Sequence, residues 1–121
     1  SDLRRQRQMC IRDSSNSIET IYAYKYLFSN TKNPKVLSLT RQNLKYLDYD
    51  IDYSDFLNGG FVISKGKDLT IFASGSEVNL ALEIKEILKE FSVEVVSVPI
   101  LNKLTPEISK SLNNNKLIFT I

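Results

Sequence analysis

The chain has no histidine and no tryptophan, and its single cysteine and single methionine are Cys10 and Met9. Without histidine, a Ser-His-Asp triad, a Cys-His dyad and the usual zinc centres are excluded from these 121 residues. One cysteine supports neither an internal disulfide nor a thiolate metal site. No apolar run approaches the roughly 18 to 20 residues that a membrane-spanning helix needs. Neither sign of charge dominates: 16 basic and 14 acidic residues leave +2, and that excess falls in the first fourteen residues, where Arg4, Arg5, Arg7 and Arg12 face Asp2 and Asp13. From Ser15 onward the chain is neutral, which gives no nucleic-acid footprint. What remains is ordinary for a soluble protein, 42% hydrophobic and 25% charged. The length suits one domain or pieces of two.

The arginines are placed unevenly. All but Arg41 lie before Ser15, and every lysine lies after it. Each residue from Arg4 to Ser14 matches a sequencing-library adapter read in frame, so residues 1–14 are read as an artefact of assembly and set aside, as a scar would be. A basic arm for an anionic partner is the competing reading of the same run.

Asn16 followed by Glu19 fits a capping box, and Ile18, Ile21, Tyr22, Lys25 and Phe28 recur at helical spacing, which predicts a helix over 17–29. Val36 to Thr40 reads as a short buried strand. Residues 45–55 carry four Asp and three Tyr with no sustained period, and Asn58-Gly59-Gly60 closes them; this is a connector. The connector lacks the ligand spacing of an EF-hand loop, so a solvated acidic loop is expected there. Strands are predicted from Phe61 and over Leu69–Ala73, then a helix over 77–91 with Ser76 as N-cap and an apolar stripe of Leu80, Ile84, Ile87, Leu88 and Phe91. Val93–Val98 has the valine density of a strand buried on both faces, and strand, helix and strand should form a right-handed βαβ unit. A helix begins at Thr105-Pro106-Glu107, and Leu117–Ile121 reads as a strand that the sequence leaves unfinished. The expected class is α/β, mostly parallel sheets with flanking helices, from pieces of two adjacent domains truncated at both ends.

Two places could carry chemistry. Ser74-Gly75-Ser76-Glu77 joins a strand to a helix N-terminus, a place where phosphate can bind. A single Gly falls short of a phosphate loop and Glu77 would repel an anion there, so a plain βα turn is the better reading. Arg41 follows a parallel-type strand, and ligands of α/β sheets bind beyond the carboxyl ends of strands, where a guanidinium fork suits phosphate. An ion pair from Arg41 to the acidic connector at Asp48 to Asp55 accounts for it equally well. Tyr22, Tyr24 and Tyr26 are expected to cover the sheet or a subunit contact.

Several segments in order resemble the transketolase family. Pro34 to Leu44, ending Thr40-Arg41-Gln42-Asn43-Leu44, is similar to the family's strand and Arg-Gln-Asn-Leu turn. Gly59-Gly60-Phe61-Val62-Ile63 resembles its Gly-Gly-Tyr-Val-Leu, Ala73-Ser74-Gly75-Ser76-Glu77-Val78 its Ala-Thr-Gly-Ser-Glu-Val, and Val95-Val96-Ser97-Val98-Pro99 its Val-Val-Ser-Met-Pro. Asn16 to Tyr26 is similar to the helix before the first segment. After Pro99, Ile100 to Thr105 looks more like the wider thiamine-enzyme superfamily, including deoxyxylulose-phosphate synthases and split C-terminal subunits. These make a related C-terminal subunit the alternative, with a non-catalytic α/β binding module as a third reading.

The resemblance implies that residues 15–58 are the end of a pyrimidine-binding domain plus connector, and 59–121 the start of a C-terminal domain. It implies a cytoplasmic, homodimeric parent of the pentose phosphate pathway that moves a two-carbon ketol unit between phosphosugars. The implied cofactors are thiamine diphosphate and a divalent metal, Mg or Ca, held by parts of the parent upstream of Ser15. No catalytic, cofactor or metal residue is then expected in this piece, which is expected to be inactive alone. Arg41 matches the family arginine that binds the substrate phosphate. Neither nucleic acid nor membrane is implied as a partner.

Overall fold

The computed structural model describes residues 9–12, 16–29, 32–39, 43, 45–101, 103, 106–114 and 117–121. The elements run β1 (Met9–Arg12), α1 (Ser17–Ser29), β2 (Lys35–Ser38), α2 (Tyr53–Leu57), β3 (Phe61–Ser64), β4 (Leu69–Ala73), α3 (Glu77–Ile87), β5 (Val93–Ser97), α4 (Pro106–Asn114) and β6 (Leu117–Thr120). They form a two-stranded sheet, β1-β2, and a four-stranded sheet in the order β3-β5-β4-β6. Only β3 is antiparallel to its neighbour; the β1-β2, β4-β5 and β4-β6 pairs are all parallel. The α/β class with mostly parallel sheets and flanking helices is therefore the class observed. Among the described residues no helix is long and apolar enough to cross a membrane.

The β4-α3-β5 unit forms the core of the larger sheet. Parallel strands covered on both faces are largely apolar, and every residue of β4 and β5 is buried. The period of two along each strand divides them between two layers. Leu69, Ile71, Ala73, Val93 and Val95 pack with Val78 and Ala81 of α3. Phe72 and Val96 pack with Ile108 of α4. Thr70 and Glu94, register partners across β4 and β5, are buried together. The Thr70 hydroxyl donates to Glu94 Oε1 at 3.0 Å, which helps to make the buried carboxylate tolerable.

The turn before β4 passes so close to β5 that a Cβ on Gly66 would lie 2.2 Å from the Val93 carbonyl carbon. Gly75, at φ +60°, makes the positive-φ step from β4 into α3.

A third cluster joins the first half of the chain to this sheet: Ala23 of α1, Ile51, Phe56 of α2, Phe61 of β3 and Ile100. Here the acidic connector differs from the solvated loop expected of it. Tyr53 and Phe56 turn inward in the short helix α2, which the sequence shows no period for; they stack on each other and meet the Tyr22 ring of α1 at a tilt. A five-residue helix is too short to display a repeat, and it is held by packing.

Three further expectations are corrected. β2 is not a buried strand: Val36 and Leu39 are each 45% exposed, because among the described residues β2 pairs only with β1. The stripe predicted for α3 is also misplaced. Leu80, Ile87 and Phe91 are exposed, Ile87 by 79%, while Val78 and Ala81 are fully buried, with Ile84 and Leu88 half-buried against the same core. The close strand-helix approach selects the small residue, and the helix ends at Ile87, so Phe91 lies beyond it. Ser76 has helical φ and ψ and makes no side-chain cap bond; its hydroxyl donates to Glu77 Oε2 at 3.2 Å. Apart from these corrections, Met9–Arg12, inside the stretch set aside above, pairs with β2 from Met9↔Lys35 to Arg12↔Ser38. Backbone ladders of this kind form without regard to side-chain identity.

Candidate functional site

The predicted site residue, Arg41, lies outside the described residues. Its setting is given by β2, which ends at Ser38 three positions before it. β2 runs parallel to β1, and Arg41 follows its carboxyl end in sequence. α1 lies against this strand: Lys35 Nζ donates to the Tyr26 carbonyl at 2.9 Å and sits 4.4 Å from the Tyr26 ring centroid.

Of the expected capping box, the Asn16 half is seen at the start of α1. Asn16 Oδ1 accepts from the Glu19 backbone N–H at 2.9 Å, and Asn16 Nδ2 donates to the Tyr49 carbonyl at 3.2 Å. Asn16 thus caps the helix and fastens it to the connector. Glu19 is fully buried. Its Oε1 accepts from Tyr49 Oη at 2.8 Å and from Ser97 Oγ at 2.9 Å. The latter bond spans 78 residues and joins α1 to the last residue of β5. The sequence reading finds Glu19 only as a helix cap and gives no role to Tyr49 or Ser97; the signal it had was the capping box, which is local and cannot name a partner so far along the chain. Tyr22, by contrast, does the covering work expected of it, with its hydroxyl donating to the Ile51 carbonyl at 2.9 Å. Tyr24 is exposed.

At the carboxyl ends of β4 and β6 lies a cavity of about 580 Å³, whose lining includes Ser74, Val98, Lys103, Ile108, Leu112 and Ile118. Ser74 Oγ is buried in it without a hydrogen-bond partner among the described residues. The lining is otherwise largely aliphatic, and Lys103 Nζ is turned to the Leu57 carbonyl. The N–H groups of Glu77, Val78 and Asn79 donate to the carbonyls of Ser74, Gly75 and Ser76. These are the bonds of a closed βα turn, the reading preferred for Ser74 to Glu77, and they leave little for an anion.

Asp50, Asp52 and Asp55 border a small polar hollow of about 210 Å³. Among the described residues no group of three or more His, Cys, Asp or Glu could hold a metal ion. Burial, and then the neighbouring Tyr53, push the Tyr26 phenol above its ordinary value.

The mostly parallel sheet with its flanking helices places the chain in the α/β class. Residues 59–116 match the family model described as the transketolase-like TK C-terminal domain. Beyond it, the chain as a whole is related to transketolases. It is 35% identical over 116 residues to the transketolase of Mycoplasma genitalium, covering 93% of this chain and 18% of that protein. To the Bacillus subtilis transketolase it is 40% identical over 93 residues, covering 70% of this chain and 14% of that protein. A crystal structure of a transketolase mutant from Pichia stipitis, in complex with fructose 6-phosphate, superposes with a TM-score of 0.77 at 29% identity over 93% of this chain and 18% of the other. The chain thus spans less than a fifth of the length of these relatives.

Proposed function

We propose that this chain is the part of a transketolase that runs from the end of the pyrimidine-binding domain (residues 15–58, with the connector) into the C-terminal domain (59–121), and that Arg41 anchors the phosphate of the sugar substrate. The observation that supports the assignment of Arg41 is its position in the sequence, three residues after β2 ends at Ser38, since α/β sheets bind ligands beyond the carboxyl ends of their strands. The similarity to transketolases on both sides of residue 59 supports the parent activity.

In this reading the guanidinium fork takes the phosphate through paired, charge-assisted hydrogen bonds. A fixed cation at the far end of a sugar holds the chain in register, so the carbonyl that gives up the two-carbon unit arrives oriented at the reacting centre. Thiamine diphosphate, when bound with its divalent metal, supplies the nucleophilic carbon to which that unit is transferred. The diphosphate and metal ligands are assigned to other parts of the parent. With them go the activating acid and the second subunit of a cytoplasmic homodimer, and this piece alone is inactive.

The test is steady-state kinetics of the parent enzyme carrying Arg41→Ala. KM for phosphorylated sugars rises by the equivalent of about 1.5 to 3 kcal/mol, the worth of a hydrogen bond to a charged group, while unphosphorylated sugars are used as before. An equal loss on both substrates makes Arg41 a structural residue and overturns the assignment.

A further inference from the structure

We propose that Glu19 is a positioning residue: its buried carboxylate latches the α1-β2 unit, and with it the turn bearing Arg41, onto the carboxyl end of β5. The part of this that concerns Arg41 rests on the function proposed above; the latch itself does not.

The argument begins with cost. A carboxylate taken fully out of water is tolerated only when donors replace its hydration. Glu19 lies at 0% exposure, and two of its donors come from outside its own helix: Tyr49 Oη in the connector at 2.8 Å and Ser97 Oγ at 2.9 Å. Both reach the same oxygen, so the connector, α1 and β5 meet at one atom. Both donors are held in place. Ser97 is itself fully buried at the end of β5, paired with Ala73 on one side and Phe61 on the other. The Tyr49 ring packs on Phe61 at 5.9 Å between centroids, and its carbonyl is held by Asn16.

Two bonds tie α1 to the connector, Asn16 to the Tyr49 carbonyl and Tyr22 to the Ile51 carbonyl, but toward the sheet the remaining contact is an apolar cluster, Ala23 with Ile51, Phe56, Phe61 and Ile100, which resists separation without dictating orientation. The carboxylate supplies the direction. If Ser97 loses its hydroxyl while α1 stays docked, a buried charge is short of a donor. Undocking α1 returns that charge to water, so the loss shifts the balance toward the undocked state. α1 carries β2 with it through the Lys35 bond to the Tyr26 carbonyl, and β2 leads directly into the Arg41 turn.

Amide hydrogen exchange of this chain tests the latch. Ser97→Ala and Glu19→Ala speed exchange in 17–29 by about 10- to 100-fold, the factor that corresponds to one hydrogen bond to a charged group, while β4 and β5 keep their protection. Glu19→Gln, whose amide oxygen still accepts from both hydroxyls, returns α1 most of the way to the native rate. Should Glu19→Ala fail to fold, Ser97→Ala and Tyr49→Phe carry the test, since each removes one donor and leaves the rest of the chain intact. Unchanged exchange in 17–29, or an equal rise across α1 and the four-stranded sheet, overturns the latch.

In the parent enzyme Ser97→Ala then raises KM for phosphorylated sugars with kcat held, in the same direction as Arg41→Ala. If exchange responds but this KM does not, the latch stands and its link to Arg41 falls.

Discussion

At the scale of single residues, most of the stabilisation that joins the two halves of the chain passes through a few side chains. Phe56 is fully buried and packs against Tyr22 and Tyr53. Phe56→Ala is expected to cost about 3 to 5 kcal/mol, the usual loss for a core phenyl ring, read as a lower midpoint in urea unfolding. Gly66→Ala meets backbone of β5 at 2.2 Å, and nothing on that side can give without opening the sheet. A loss of about 2 to 3 kcal/mol is expected, with β4 and β5 exchanging faster. Tyr26 adds a pH dependence. Its phenol is held above its ordinary value by burial and by Tyr53, so the unfolded chain ionises first as pH rises. The folded form then binds more protons than the unfolded one, and stability falls as pH climbs past about 10, the ordinary tyrosine value. Tyr26→Phe should flatten that alkaline fall in a pH series of melting temperatures.

At the scale of elements, legibility followed how much of each element's environment is written into its own residues. α1 was legible to its ends, Ser17–Ser29, because a capping box and a turn-rich stop are local signals. β5 was legible because burial on both faces leaves nothing but valine-rich sequence. α2 was not: its inward turn is set by Tyr22 on α1, 31 residues before Tyr53. The α3 stripe was misread because hydrophobic spacing cannot say how closely a helix approaches its sheet. The contact is close, so Val78 and Ala81 face inward and Ile87 faces water. A paired substitution tests this face: Ile87→Lys should change stability by less than about 0.5 kcal/mol, as exposed sites do. Val78→Asp buries a charge and should abolish cooperative unfolding. The reverse ranking would restore the stripe read from sequence. The site was legible in the same uneven way. Arg41 stands out by composition, whereas the Glu19–Ser97 contact, which spans most of the chain, leaves no trace in local spacing.

At the scale of the whole molecule, the larger sheet has one protected side and one bare edge. β5 and β4 are central and buried, while every residue of β6 is exposed; Leu117, Ile118, Phe119 and Ile121 present a run of large apolar side chains. An apolar edge of this kind pairs readily with other chains. This chain is expected to associate as concentration rises, and Ile118→Lys should shift its light-scattering mass toward the monomer.

The central claim, that these residues belong to a ketol-transferring enzyme, is tested most directly by assaying the full-length parent for transfer of a two-carbon unit from a ketose phosphate to an aldose phosphate. The account predicts transfer that requires both thiamine diphosphate and a divalent metal and is lost when either is withheld. A folded parent, supplied with both, that transfers nothing from any ketose phosphate would contradict it.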